Sequence, residues 1–410
     1  MKINVMRRID FWFGIPICYF LSIFHRLQAI IPLNAVSCRI KPKKLIFLEF
    51  SEIGSVILSY SAIKKIKETY PGIRIYFWIF KRNENIVHIL NIMPKENVIT
   101  IRDNNLLTLL IDTFIGLWKI RREKIDAVID MELFSRFSAI LSYLSGARAR
   151  VGFDRLSMEG LYRGNLHTHN VAYNPYMHIS NNFLALALAL NSESPEIPLF
   201  RMPLNDYETT VPKIKSDKQA QENIWRKLKE NYIQIDQSCR IVVLNPGVNE
   251  YLTLRKWPIQ NYIGLAKKLL DDPGILVVLI GVNLQFSDKE RVTREINNLR
   301  LIDMVGKTTI KELLDLYNIS SLIISHDSGA ANLASLSDIG IIVLFGPETP
   351  LLYAPISFNQ KVLYAGFACS PCVTAYNHRR SLCRENTCME AISVEEVYSC
   401  AKEFLNKLKK

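Results

Sequence analysis

The chain has 410 residues, 49% of them hydrophobic and 22% charged, which excludes a disordered chain. Single cores seldom grow beyond roughly 250–300 residues, so two domains are expected. The net charge of +12 suits phosphorylated small molecules or an acidic membrane surface, and without a nucleic-acid motif or dense Lys/Arg block no nucleic-acid partner is expected.

In chain order, Lys2, Arg7 and Arg8 precede an uncharged run, Phe11–Phe24, and His25 and Arg26 follow it. The run is too short to span a bilayer as a helix, which takes about 20 residues. A signal peptide ending near Val36–Cys38 competes, but Pro16, His25, Arg26 and Pro32 interrupt its apolar region. Phe11, Trp12, Phe13, Tyr19 and Phe20 beside basic residues predict an amphipathic or hydrophobic helix lying in a membrane interface. A helix packed on the protein's own core is the alternative. Residues 1–40 are therefore read as a membrane-associating segment.

Lys44–Phe50 reads as a buried strand and Glu52–Ser55 as a turn. Ile57–Tyr70 has helical apolar spacing and stops at Pro71-Gly72. Strands at Arg74–Phe80, Asn97–Ile101 and Ala127–Met131 alternate with helices at Leu106–Arg122 and Phe134–Ser145. Tyr162–Tyr176 reads as a polar loop and His178–Leu190 as an apolar helix. Residues 191–218, with Pro195, Glu196, Pro198, Pro203 and Pro212, read as a linker. A second set of strands follows at Arg240–Leu244, Ile275–Ile280, Leu301–Met304, Leu322–Ser325 and Ile339–Phe345. This β–α rhythm predicts parallel sheets covered on both faces, in two α/β domains with ligand at the carboxyl ends of strands in a cleft between them.

Three strand ends in the second half carry the chemistry. Asn245-Pro246-Gly247 is followed by Arg255-Lys256-Trp257-Pro258. Gly247 permits close backbone approach, Lys256 or Arg255 can neutralise phosphate, and Trp257 reads as a core anchor. Gly281 ends the next strand. His326-Asp327-Ser328-Gly329 then opens a small-residue helix, Ala330–Leu336. There Asp327 can accept sugar hydroxyls, and the N–H groups of Ser328 and Gly329 can meet a diphosphate. Neither G-x-G-x-x-G after a first strand nor G-x-x-x-x-G-K-[ST] occurs, which argues against a dinucleotide oxidoreductase and a P-loop nucleotidase.

Cys369, Cys372, Cys383 and Cys388 are spaced C-x2-C-x10-C-x4-C around His378, Arg379 and Arg380. Four thiolates suit a structural zinc, although the spacing is looser than that of a zinc ribbon; free thiols or a disulfide pair suit it equally. The basic loop can meet an anionic donor or lipid-linked acceptor, or stay solvated.

These residues resemble glycosyltransferase family 9, the heptosyltransferase-like enzymes of bacterial surface polysaccharide assembly. The matching pieces are the first strand with Ile53-Gly54, Tyr70-Pro71, Ser145–Phe153, Asn245–Gly247, Lys256–Pro258, Val305–Thr308 with Leu313, Asp327–Gly329 and Leu344–Pro347. The resemblance implies a GT-B fold, two Rossmann-like domains facing a central cleft. The acceptor domain is expected over 41–205, the nucleotide-sugar domain over 206–392, and a C-terminal helix over 393–410 packing back on the first domain. It implies inverting, metal-independent transfer of heptose or another hexose-type sugar to a lipid-linked or lipopolysaccharide-type acceptor. No cofactor is required for the chemistry, and the enzyme is expected peripherally on the cytoplasmic face of the inner membrane. Lys256, Ser328 and Gly329 are expected at the diphosphate, Asp327 at the donor sugar, and Gly306 beside the nucleobase.

Two positions depart from the family pattern. Its catalytic Asp after the first-strand Ile-Gly is here Ser55, which cannot act as a base at neutral pH, and its His after the D-[ST]-G turn is Asn332. Glu132 and then Glu52 are the candidate bases, because a partly desolvated strand-end carboxylate can have a raised pKa; Glu132 can equally only stabilise the following helix. A catalytically silent relative that binds nucleotide-sugar or glycolipid as a scaffold is the alternative, and a nucleotide-sugar epimerase a third reading.

Overall fold

A computed structural model describes residues 3–30, 41–50, 52–154, 161–192, 202–204, 207–230, 235, 237–247, 253–282, 284, 286–377 and 379–407. Pro32, Val36–Cys38, Pro195, Glu196, Pro198 and His378 lie outside them. The chain divides into two compact units, Met1–Thr210 and Val211–Lys410.

The first unit contains α1 (Ile3–Trp12), α2 (Gly14–Ile30), β1 (Lys44–Leu48), α3 (Ile53–Leu58), α4 (Tyr60–Thr69), β2 (Arg74–Phe80), α5 (Glu84–Leu90) and β3 (Val98–Ile101). It continues with α6 (Leu106–Glu123), β4 (Ala127–Asp130), α7 (Arg136–Leu144), β5 (Ala149–Phe153), β6 (His169–Val171) and α8 (Ile179–Ala189). Its sheet is parallel in the order β3-β2-β1-β4-β5-β6. The expected alternation therefore holds, and the apolar strand runs are buried on both faces.

Four local differences have physical reasons. The Glu52–Ser55 turn is largely the first turn of α3, with Glu52 at its N-cap, and Ser59 separates α3 from α4. The polar stretch Tyr162–Tyr176 contributes β6, whose His169 and Asn170 are buried by the neighbouring strand β5. Arg150 hides within β5 because its guanidinium donates to the carbonyls of Leu166 and Ala147, at 2.8 and 2.7 Å. The amino-terminal run forms two helices, and α2 passes through Pro16 because Pro is tolerated in a first helical turn. Cys18 and Leu21 of α2 pack with Ala139, Ile140 and Tyr143 of α7, while Asp10 of α1 accepts hydrogen bonds from the N–H groups of Arg136 and Phe137, at 3.0 and 2.8 Å. Among the described residues, no helix is long and apolar enough to cross a membrane.

The second unit contains α9 (Lys218–Lys229), β7 (Arg240–Asn245), α10 (Ile259–Leu270), β8 (Ile275–Leu279), α11 (Phe286–Ile296), β9 (Leu301–Asp303), α12 (Ile310–Asn318) and β10 (Leu322–His326). It ends with α13 (Gly329–Ala334), β11 (Gly340–Phe345), α14 (Pro350–Tyr353), β12 (Gln360–Tyr364), α15 (Thr387–Glu390) and α16 (Val394–Lys407). The parallel order is β12-β11-β10-β7-β8-β9. The edge strand β12 escapes sequence reading because Gln360 and Lys361 break its apolar pattern. Val397, Ala401 and Leu405 of α16 are buried in this unit's own core beside α10, where the sequence reading sent the helix to the first domain. Trp257 anchors the same core, donating to the Ile392 carbonyl at 2.9 Å.

In both sheets the chain starts in the middle and winds outward both ways, so a switch point falls between β1 and β4 and another between β7 and β10. Helix α6 lies tight on the first sheet: a Cβ at Gly116 would stand 2.5 Å from Trp78 Cζ2. Gly→Ala inside a helix normally stabilises by about 1 kcal/mol. Gly116→Ala is expected to reverse that sign and cost about 1–3 kcal/mol through overpacking, read as a lowered midpoint in urea unfolding.

Candidate functional site

At the second unit's switch point, β7 ends at Asn245 and β10 at His326, and the loops that follow carry the polar cluster. Asn245 Nδ2 donates to Ser325 Oγ at 3.0 Å and Ser328 Oγ at 3.2 Å, which ties the two strand ends together. Tyr262 on α10 donates its hydroxyl to the Asn245 carbonyl at 2.9 Å and so fixes the end of β7 from below. Ser328 N-caps α13, its Oγ accepting from Ala331 N–H at 3.4 Å, and the N–H groups of Gly329 and Ala330 precede it in the first turn of the helix. Asn332, at the family's His position, donates to the Ser328 carbonyl at 3.4 Å.

Gly247, Gly281 and Gly306 act as one packing unit. A Cβ on Gly247 would meet Gly281 Cα at 2.8 Å, Gly281 has φ +145, and Gly306 N–H donates to the Gly281 carbonyl at 2.9 Å. Close approach at Gly247 is thus spent first on another backbone, and Gly281 contributes as much as either partner. This brings the loops after β7, β8 and β9 together.

The two basic residues part company. Lys256 Nζ pairs with Asp288 of α11 at 2.5 Å. Arg255, at the end of the 3₁₀ turn Thr253–Arg255, turns inward to Asp327 at 3.1 Å and to Glu348 at 2.5 Å. Glu348, in the turn after β11, is 1% exposed, and Arg379 Nε approaches it to 3.7 Å. Sequence reading missed Glu348; its one signal was an acidic residue directly after a strand-end Gly-Pro. Burial pushes the Glu348 carboxyl up to about 7, with the charge of Asp327 adding to that and Arg255 opposing it. Burial likewise raises Asp327 against the pull of Arg255. The pair behaves as two acids that share one cation and resist simultaneous ionisation. Burial, with Arg255 and Lys256 nearby, lowers His326 to about 3 and keeps it neutral.

In the first unit, both candidate bases lie at the carboxyl ends of β1 and β4. Glu132 Oε1 accepts from Phe50 N–H at 2.7 Å, bridging the two strand ends. Glu52 is half-buried at the N-cap of α3, and Ser55 sits in that helix's first turn. Behind Glu132, Asp130 is fully buried with Arg163, Ser138 Oγ at 3.0 Å and His167 Nε2 at 3.2 Å. Burial alone would raise Asp130, but Arg163 and His167 outweigh it and hold the carboxyl below its ordinary value. Glu132 is also tied to this cluster, its carbonyl accepting from Arg163 Nη1 at 3.2 Å.

Cys369, Cys372, Cys383 and Cys388 are free thiols. Burial and then the neighbouring sulfurs of Cys372, Cys369 and Cys383 raise the Cys388 thiol, so the four share one neighbourhood. Among the described residues, no group of three or more His, Cys, Asp or Glu side chains could hold one metal ion. Within this neighbourhood Cys383 Sγ is turned to the Glu385 carbonyl, and Cys369 and Cys383 are exposed.

Two parallel six-stranded sheets, each with a polar cluster at its switch point, define an α/β fold of the GT-B type. The structure of E. coli ADP-heptose lps heptosyltransferase II matches 90% of this chain and 100% of its own at a TM-score of 0.68 and 16% identity. A glycosyl transferase family 9 structure from Veillonella parvula matches 91% and 99% at 0.65 and 17%. The family model for glycosyltransferase family 9 (heptosyltransferase) matches residues 117–382, and the chain belongs to that family. Lipopolysaccharide core heptosyltransferase OpsX of Haemophilus influenzae is 24% identical over 329 residues, 78% of this chain and 84% of that protein. Lipooligosaccharide heptosyltransferase 2 of Campylobacter jejuni is 26% identical over 183 residues, 44% of this chain and little more than half, 56%, of that relative.

A raised acid binds more protons folded than unfolded, so its contribution to stability falls as pH climbs from the unfolded value to the folded one. For Glu348 that window is about 4.5 to 7, at on the order of 1.4 kcal/mol per pH unit at most. Glu348→Gln keeps the shape of the neutral acid and removes the titration. Its melting temperature, measured from pH 5 to 8, is expected to decline less steeply than that of the parent; parallel curves would refute the shared-cation account.

Proposed function

We propose that this chain is a heptosyltransferase-type enzyme that moves a sugar from a nucleoside-diphosphate donor to a lipid-linked or lipopolysaccharide-type acceptor. The observation that carries this reading is the cluster of Asn245, Arg255, Asp327, Ser328 and Glu348 at the β7/β10 switch point, where ligands of open α/β sheets bind. E. coli heptosyltransferase WaaC, whose structure was determined with ADP, matches 88% of this chain at a TM-score of 0.61, which supports the fold on which the reading relies. The second unit is the donor half, with 206–392 as its expected extent, and the first, over 41–205, the acceptor half.

The N–H groups at the start of α13, with Lys256, meet the diphosphate. Gly306 and its neighbours line the base, and Asp327 accepts hydroxyls of the sugar. Arg255 fixes Asp327 in place. Transfer is inverting and needs no metal: the acceptor hydroxyl oxygen attacks the anomeric carbon and its proton passes to a carboxylate. The bond from that carbon to the diphosphate oxygen breaks, and the nucleoside diphosphate departs with the electron pair. Glu132 is the first candidate for the carboxylate, at an open strand end, and Glu52 the second. A lipid-linked acceptor puts the work at a membrane surface, on the cytoplasmic face where nucleotide-sugars are made, with residues 1–40 as the associating segment.

The scaffold reading draws on Ser55 in place of the family's Asp and on the hydrogen bond that already occupies one oxygen of Glu132. Donor binding and turnover separate the two readings. Nucleoside diphosphates or their sugars are expected to raise the melting temperature in a thermal-shift screen, since a ligand of the folded state stabilises by mass action; no shift from any of them would remove the donor-site reading. Glu132→Gln is expected to lower kcat by about 100-fold or more and leave the donor-induced shift unchanged. Full turnover in both Glu132→Gln and Glu52→Gln would exclude these bases, and donor binding without turnover in the parent would favour the scaffold.

A further inference from the structure

Helix α6 is apolar on both sides. Leu109, Thr113, Gly116 and Ile120 are buried against the first sheet, yet the opposite stripe, Leu107, Leu110, Phe114 and Trp118, is exposed, Phe114 to 73%. A helix apolar all round is normally covered on both sides, and patches of such side chains on one surface mark interaction sites. The amino-terminal helices show the same imbalance: α2 docks on α7 through Cys18 and Leu21, while Trp12, Phe13, Phe20 and Phe24 stand in solvent.

The two surfaces belong to one side of the unit. Helices α6 and α7 cover the same face of the sheet, and Met6 of α1 packs on the same core as Leu117 of α6 and Phe137 of α7. Charge on these helices is sorted. The acids Asp10, Asp112 and Glu123 are tied to Arg136, Arg102 and Lys44. The bases at the end of α6 instead meet neutral partners and keep an uncompensated charge: Lys119 the Glu96 carbonyl, Arg121 the Leu144 carbonyl, and Arg122 the ring of Trp118 at 5.2 Å. Arg8 and Arg26 add to them on α1 and α2.

We propose that α6 joins α1 and α2 in one face of the first unit that seats on an anionic lipid surface, with Phe114 and Trp118 inserted beside the amino-terminal aromatics. The inference deepens, and rests on, the membrane association proposed above. Aromatic side chains rimmed by cations are the chemistry that anionic lipid headgroups and the acyl boundary accept. A second copy of the chain would bring like charge against like charge in a symmetric contact, which disfavours it as the occupant.

Flotation with vesicles tests this on the full chain. The parent is expected to float with phosphatidylglycerol–phosphatidylethanolamine vesicles, much less with pure phosphatidylcholine, and less at high salt. Phe114→Ser/Trp118→Ser is expected to lower the partition coefficient by about tenfold or more, with an unchanged melting temperature and an unchanged shift from nucleoside diphosphate. Lys119→Glu/Arg122→Glu is expected to weaken binding to the anionic vesicles alone. If the parent floats and the α6 variants float equally well, α6 is no part of the face, while the membrane association itself stands. A parent that stays with the aqueous phase and forms a dimer dispersed by the same α6 substitutions would overturn both.

Discussion

One buried guanidinium organises the second unit's site. Arg255 leaves a short turn after β7, Asp327 follows β10 and Glu348 follows β11, so a single cation draws three strand-end loops to one point. A buried charge without a partner costs several kcal/mol, and two acids on one cation leave an excess of negative charge. The pair answers by holding a proton up to about neutral pH. The rest of the site follows from this anchoring. With the loop after β10 pinned at Asp327, Ser328 can cap α13 and Asn245 can reach across to Ser325 and Ser328.

The first unit repeats the device in another form. Asp130 ends β4, the strand equivalent to β10 in the winding order, and is also paired with a buried arginine, Arg163. There the acid is outnumbered: Arg163, His167 and Ser138 all serve one carboxylate, which stays ionised. One switch point thus holds a carboxylate fixed as an anion, and the other an acid pair with a surplus proton. An anion fixed behind Glu132 is a structural support, since its hydrogen-bonding capacity is spent inside the protein, and Glu132, in front of it and half-exposed, remains the group with access to solvent.

Much of this architecture was legible in the sequence because parallel strands buried on both faces read as continuous apolar runs. Lys44–Leu48, Arg74–Phe80 and Ile275–Leu279 are of that kind. The strands that escaped are those where tertiary contacts override local pattern: β5 with its buried Arg150, β6 with His169 and Asn170, and the half-polar edge β12. The site was legible as a place and less so as a set of roles. Asn245, Asp327 and Ser328 do converge. Lys256 and Arg255 are adjacent in sequence and cannot be told apart by motif, yet a 3₁₀ turn sends one to α11 and the other into the core. Glu348 shows no periodicity or spacing, and only the β10–β11 pairing puts it beside Asp327.

The amino-terminal segment packs on the protein's own core, through Cys18 and Leu21 of α2 and Asp10 of α1 against α7. A helix has circumference for two apolar sides, and α2 carries both, with Cys18 and Leu21 on α7 and Phe20 and Phe24 outward. Docking fixes the orientation of the outward face, so the aromatics are presented as a surface rather than as a tether. With α6 on the same face of the first sheet, the outward apolar side chains of α1, α2 and α6 are held in fixed orientation by the packing beneath them.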